Sequence, residues 1–176
     1  MKIGVAIAPK NALPSAFVVW RGLEESIKKA AEYGYDGVEL ALSSKEDVNK
    51  QKISKLCKEY QIEISAITTG QLFVANGLYL TRPEANMRIK AINFLRGLVE
   101  LARDFGKKVN LGRVRGFIHE GETYKITLVR FIDSLCEISD YALKQGVELI
   151  IEPVNRYEIN FINNLYMEYM GIILMN

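Results

Sequence analysis

The stretch Val147-Glu-Leu-Ile-Ile-Glu-Pro-Val-Asn-Arg-Tyr-Glu158 decides how the rest of the chain is read. Five residues of strand character, four of them large and apolar, end in a carboxylate at Glu152. Pro153 then fixes the backbone as the chain leaves the strand. The phrase just before it, Tyr141-Ala-Leu-Lys-Gln-Gly146, ends a helical pattern on a glycine, which takes the left-handed conformation without a Cβ penalty. The same phrase occurs twice more. Leu101-Ala-Arg-Asp-Phe-Gly106 leads into Val109-Asn-Leu111, and a helical stretch ending at Gly34 leads into Asp36-Gly-Val-Glu-Leu-Ala-Leu42.

Working outward, Lys2 to Ala8 reads as a first strand, followed by Phe17, Trp20, Leu23, Ile27, Ala30 and Ala31 at helical spacing. Val48, Ile53, Leu56, Cys57 and Tyr60 predict a second helix, and Ile62 to Ile67 a third strand. Thr81-Arg-Pro-Glu84 has the form of a capping box opening a third helix through Ile92, Leu95, Leu98, Val99 and Ala102. Thr123 to Lys144 carries Leu128, Phe131, Ile132, Leu135, Ile138 and Ala142 on one helical face. The order βαβαβαβαβ predicts parallel strands with crossover helices, an α/β fold. Two architectures compete. A five-stranded open sheet would be complete in 176 residues, whereas a (β/α)₈ barrel typically takes ~250. Against the open sheet, the first strand-to-helix turn has no glycine-rich phosphate loop, and polar residues gather after several strands in succession, as they do at a barrel's active face.

With 49% hydrophobic and 25% charged residues, the chain has the composition of one ordinary soluble domain. Its net charge of +2, with Lys and Arg interleaved among Asp and Glu along helices, argues against a nucleic-acid partner. No stretch approaches the ~20 apolar residues of a membrane helix, and the N-terminus is strand-like, so no membrane partner is expected and a cytoplasmic location is. Cys57 and Cys136 sit in separate helical patterns and are expected as buried, reduced thiols. Residues 165–176, rich in Met, Tyr and Ile, form an atypical tail unlike the helices before it.

The residues at the strand ends are Glu39, the run Thr68-Thr-Gly-Gln71, Arg113, Arg115 and the run from Glu152 to Glu158. A carboxylate at Glu152 is expected to be partly desolvated and to need a cation, with a divalent metal or a salt bridge to Arg156 or Arg115 as the alternatives. Glu39 reads equally as a functional group or as a buried partner of a neighbouring arginine. Gln71, read as lying in a loop after the third strand, offers an amide to sugar hydroxyls or is simply solvated. His119 lies in a glycine-bounded loop without a second His or Cys nearby, so a catalytic role for it has little support.

The stretch from Glu152 to Asn163 resembles the fifth-strand motif of the xylose-isomerase-like sugar isomerases and epimerases, also grouped as AP endonuclease family 2. Ile67-Thr-Thr-Gly-Gln71, Leu80-Thr-Arg-Pro-Glu84 and Gly112-Arg-Val-Arg-Gly116 are similar, more particularly, to the 5-keto-gluconate epimerase and ketose 3-epimerase branch. The resemblance implies that residues 1–164 are the N-terminal part, strands one to five, of a (β/α)₈ TIM barrel. It further implies a sugar phosphate isomerase/epimerase-like protein that epimerises a ketose or keto sugar acid by carboxylate proton transfer. In that family a divalent ion (Mn, Mg or Co) is held by Glu, Asp, His and Glu from four later strands. Glu152 matches the first of these ligands and one of two proton-exchanging carboxylates. Glu158 matches a substrate-contacting glutamate, while Asn155, Arg156, Gln71 and Arg115 are expected to bind substrate. The remaining ligands belong to strands six to eight, so the chain reads as C-terminally truncated and is expected to be inactive alone, without a complete ion site. Open edges at its first and fifth strands predict a homo-oligomer, and a non-catalytic oligomerising or binding module is the alternative.

Overall fold

The computed structural model describes residues 1–14 and 18–164, so the atypical tail and Phe17 lie outside the described residues. The elements follow one another as β1 (Gly4–Ala8), β2 (Trp20–Arg21), α1 (Leu23–Glu32), β3 (Gly37–Ala41), α2 (Lys50–Tyr60), β4 (Glu63–Thr68), α3 (Gly70–Asn76), α4 (Ala85–Ala102), β5 (Lys108–Leu111), α5 (Tyr124–Lys144) and β6 (Glu148–Ile151). Among the described residues the strands form one sheet in the order β2-β1-β3-β4-β5-β6, every pairing parallel. With β2 set on the outer side of β1, β3 adds beside β1 and each later strand adds beside its predecessor in chain order, the winding of a (β/α) barrel wall.

The two faces of the sheet are chemically different. Val5, Ile7, Val38, Leu40, Ile67, Val109 and Leu111 are buried and join one core with Ile27, Ile53, Leu95, Leu98, Phe131, Leu135 and Ile138 of the helices. Burying each such side chain is worth about 1.5–3 kcal/mol relative to leaving it in water. The alternate positions are small or polar: Gly4, Ala6, Glu39, Ala41, Ala66, Thr68, Asn110 and Glu152. Alternation at a period of two thus gives a helix-packed face and a face that carries the site.

The predicted helix phrases hold, with Gly34, Gly106 and Gly146 at φ of 76°, 65° and 65°. Gly106 has a second reason to be glycine, since a Cβ there would stand 2.4 Å from the Ile64 carbonyl oxygen. Thr123 caps α5 as expected, its hydroxyl accepting from the Ile126 amide at 3.3 Å.

Four local expectations are corrected. Trp20 is not in the first helix but in β2, an added sixth strand, where its ring stacks on Tyr33 at 5.8 Å with the Lys29 ammonium over it at 4.6 Å. Gly22, at φ 90°, separates β2 from α1. Thr81 does not cap α4. It is fully buried, and its hydroxyl donates to the Phe117 carbonyl and accepts from the Phe117 amide, both at 3.0 Å, while Glu84 occupies the cap position without a side-chain bond. The run after β4 is a helix, α3, where a loop was expected, and it stops at Gly77 in the left-handed conformation. Cys136 is exposed and only Cys57 is half-buried, though both are free thiols.

Candidate active site

A cavity of about 300 Å³ opens at the C-terminal ends of the strands. Its wall takes Ala6 from β1, Glu39 and Ala41 from β3, Thr68 from β4, Asn110 from β5, and Glu152, Val154 and Glu158 from the segment after β6; Thr69, Gly70, Gly112 and Arg113 complete it. The register explains the convergence. Ala6 lies opposite Glu39, Ala41 opposite Thr68, Thr68 opposite Asn110 and Asn110 opposite Ile150. Glu152 follows Ile150 by two residues, and so returns to the same face.

Glu152 and Glu158 are brought together at this cavity as the sequence predicts. The Glu152 carboxylate differs from expectation in being exposed. It accepts a hydrogen bond from Asn110 Nδ2 at 2.9 Å, and Gly112 leaves it room, because a Cβ there would sit 3.3 Å from Glu152 Oε2. Arg115 does not pair with this carboxylate but reaches the Glu152 backbone carbonyl, at 2.5 Å. Glu158 accepts from the side chain of Asn155, whose Oδ1 in turn accepts from the Tyr157 amide at 3.0 Å, so Asn155 shapes the loop. Arg156 is exposed and lines an outer cleft with Phe73, Phe117 and Glu158, outside the main cavity wall.

Gln71 and Arg115 are placed elsewhere than a substrate-binding role would require. Gln71 is 2% exposed, and its amide accepts from the Leu13 amide at 3.0 Å and donates to the Leu13 carbonyl at 3.1 Å. It fastens the segment after β1 and is not solvated. Arg115 is fully buried, with its guanidinium turned to backbone carbonyls. His119 bonds the Tyr79 hydroxyl at 3.0 Å and packs against the Phe117 ring, tilted, at 4.6 Å, a packing role.

The desolvated carboxylate of the site is Glu39. Burial pushes its carboxyl above the ordinary glutamate range, and the charge of Glu152 pushes in the same direction. Among the described residues no arginine forms an ion pair with Glu39, the pairing offered as an alternative. Asn110 is the other addition. Its Oδ1 is buried with no hydrogen-bond partner, which leaves an acceptor beside Glu152. Both residues carried a sequence signal: a polar side chain between two apolar ones, Val38-Glu-Leu40 and Val109-Asn-Leu111, marks the face that the helices do not cover.

A divalent ion asks more than these residues supply. Among the described residues no group of three or more His, Cys, Asp or Glu could hold a metal ion. The described donor set therefore does not fit the four-ligand centre that the resemblance implies, and Glu152 and Glu39 fall short of it. Also among the described residues, no helix is long and apolar enough to cross a membrane.

Comparison with known proteins agrees with the winding of the sheet. The curated fructoselysine 3-epimerase of Escherichia coli O157:H7 is 27% identical over 175 residues, spanning 93% of this chain and 58% of that protein. The L-ribulose 3-epimerase of Methylomonas sp. (strain DH-1) is 24% identical over 144 residues, 81% of this chain and 49% of that one. The chain thus spans about half to three-fifths of the length of these relatives. Among solved structures, the E. coli 3-keto-D-glucoside 4-epimerase superposes with a TM-score of 0.78 at 18% identity over 99% of this chain and 64% of that one. The Methylomonas D-allulose 3-epimerase gives 0.76 at 18% identity over 100% and 60%. The family model for the xylose isomerase-like TIM barrel matches residues 27–173, and the chain belongs to that family.

Proposed function

We propose that this rim is part of a sugar-epimerase site acting on a ketose or keto sugar acid, with Glu152 as the residue that exchanges a proton with the carbon beside the substrate carbonyl. The observation that supports it best is the convergence of Glu39, Asn110 and the pair Glu152 and Glu158 from three strand ends on one cavity. Such a cavity suits a small polyol. Glu158, which lines the cavity, can take sugar hydroxyls, and the exposed Glu152 carboxylate is accessible to a substrate carbon.

The chemistry needs little else from these residues. The base removes the proton, the C–H electron pair moves into the carbonyl, and return of a proton to the opposite face inverts the carbon. In the family a divalent ion stabilises the negative charge that develops on the substrate oxygens. The described residues do not make up that ion's site. Two free thiols, one of them exposed, suit a reducing cytoplasm.

The test is deuterium incorporation from D2O into D-allulose or D-fructose, with and without Mn²⁺, comparing the chain with Glu152→Gln. Loss of a general base lowers exchange by about 10²–10⁴-fold, and unchanged exchange in the variant would remove Glu152 from the reaction. A second reading, a non-catalytic module that pairs with another copy, draws support from β2 and β6, which are the edges of the sheet among the described residues. A well-folded metal-free dimer that exchanges no deuterium would favour it.

A further inference from the structure

Arg115 is fully buried, which a guanidinium tolerates only when its donors are satisfied. Its Nε donates to the Phe161 carbonyl at 2.9 Å, and Nη2 to the Ile162 carbonyl at 2.9 Å. Its Nη1 donates to the carbonyls of Gly112 at 3.0 Å and Glu152 at 2.5 Å. The cation therefore holds the two ends of the segment between Glu152 and Ile162, the segment that carries Glu158 to the cavity, and ties both to the turn after β5. A second observation points the same way. Ile162 has φ of 53°, a conformation that a β-branched residue adopts only when its surroundings impose it, and its carbonyl is one of those Arg115 grips. Phe161 is anchored on its other side by the rings of Phe131 and Tyr124, each 5.5 Å away.

We infer that Arg115 is a positioning residue: by binding carbonyls at both ends of this loop it fixes Glu158, and the exit of Glu152 from β6, relative to the cavity. The inference rests on the proposed epimerase reading only for what the loop serves. Lysine cannot replace it, because one ammonium has neither the span nor the planar fork needed to reach carbonyls at 112, 152, 161 and 162 together.

The test is amide hydrogen exchange across residues 153–162 in the full chain, in Arg115→Lys and in Arg115→Ala with and without added guanidinium ion. We expect exchange in the loop to rise by about tenfold or more in both variants while β1 and β3 change little, and guanidinium to restore protection in the alanine variant. Binding of D-allulose should weaken in parallel and return with the same rescue. Unchanged loop exchange, or a rise spread evenly over the sheet with no rescue, would overturn the inference. If neither variant folds, the wild-type Arg115 Nε–H resonance decides: protection that is lost together with the Phe161 and Ile162 amides supports the role, and exchange at the rate of a free arginine overturns it. A wild-type chain with a protected, Arg115-dependent loop that binds no sugar would count against the epimerase reading while leaving Arg115 as the holder of this loop.

Discussion

Asn110 Nδ2 stands 2.9 Å from Glu152 Oε2, joining the inward side chain of β5 to the carboxylate that closes β6. The bond requires a donor. Asn110→Asp would set a second carboxylate against Glu152, and two such groups at hydrogen-bond distance cannot both ionise freely. The variant should match the wild type in stability near pH 4 and lose about 1–2 kcal/mol by pH 8, measured by urea denaturation at each pH. A pH-independent difference would show that the two side chains are not in contact.

Glu39 gives the opposite signature. Its folded carboxyl is raised above the ordinary value of 4.5, so between that value and the folded one the native state binds more protons than the unfolded chain. Stability is therefore lost as pH rises through this window. Glu39→Gln removes the penalty and should melt higher than the wild type at pH 7, with the advantage shrinking as pH falls below 5. Equal melting temperatures at both pH values would contradict the desolvation of this side chain.

Two glycines with the same φ of 65° should respond differently to alanine. At Gly146 nothing lies within 4 Å of the added Cβ, and Gly146→Ala should cost about 1 kcal/mol from conformation alone. At Gly106 the Cβ meets the carbonyl oxygens of Ile64 at 2.4 Å and Ser65 at 2.8 Å, so Gly106→Ala should cost about 3 kcal/mol or more. Chemical denaturation of the two variants makes the comparison, and equal costs would place the β4–β5 contact elsewhere.

The segment before α4 separates a cap from a tether. Thr81→Val removes both bonds to Phe117 inside a buried site and should cost about 2 kcal/mol, whereas Glu84→Ala should stay within about 0.5 kcal/mol. A large effect at Glu84 would restore the capping box that the threonine and glutamate spacing suggested.

Periodicity alone determined the parallel βα winding, the glycine stops at 34, 106 and 146, the α5 boundaries and the placing of Glu152 at a strand end, because these depend on neighbours within a few residues. The meeting of Glu152 with Glu158 at one rim was likewise legible, since parallel strands with a two-residue alternation must bring their ends together. Tertiary structure alone decided what each polar side chain does there. Gln71 and Arg115 looked like substrate ligands and instead hold backbone, Thr81 looked like a cap and tethers a loop, and Glu39 carries the desolvation expected of Glu152. A sequence shows which groups can donate or accept; which carbonyls lie within 3 Å, and how much water is left, is set by packing among residues far apart along the chain.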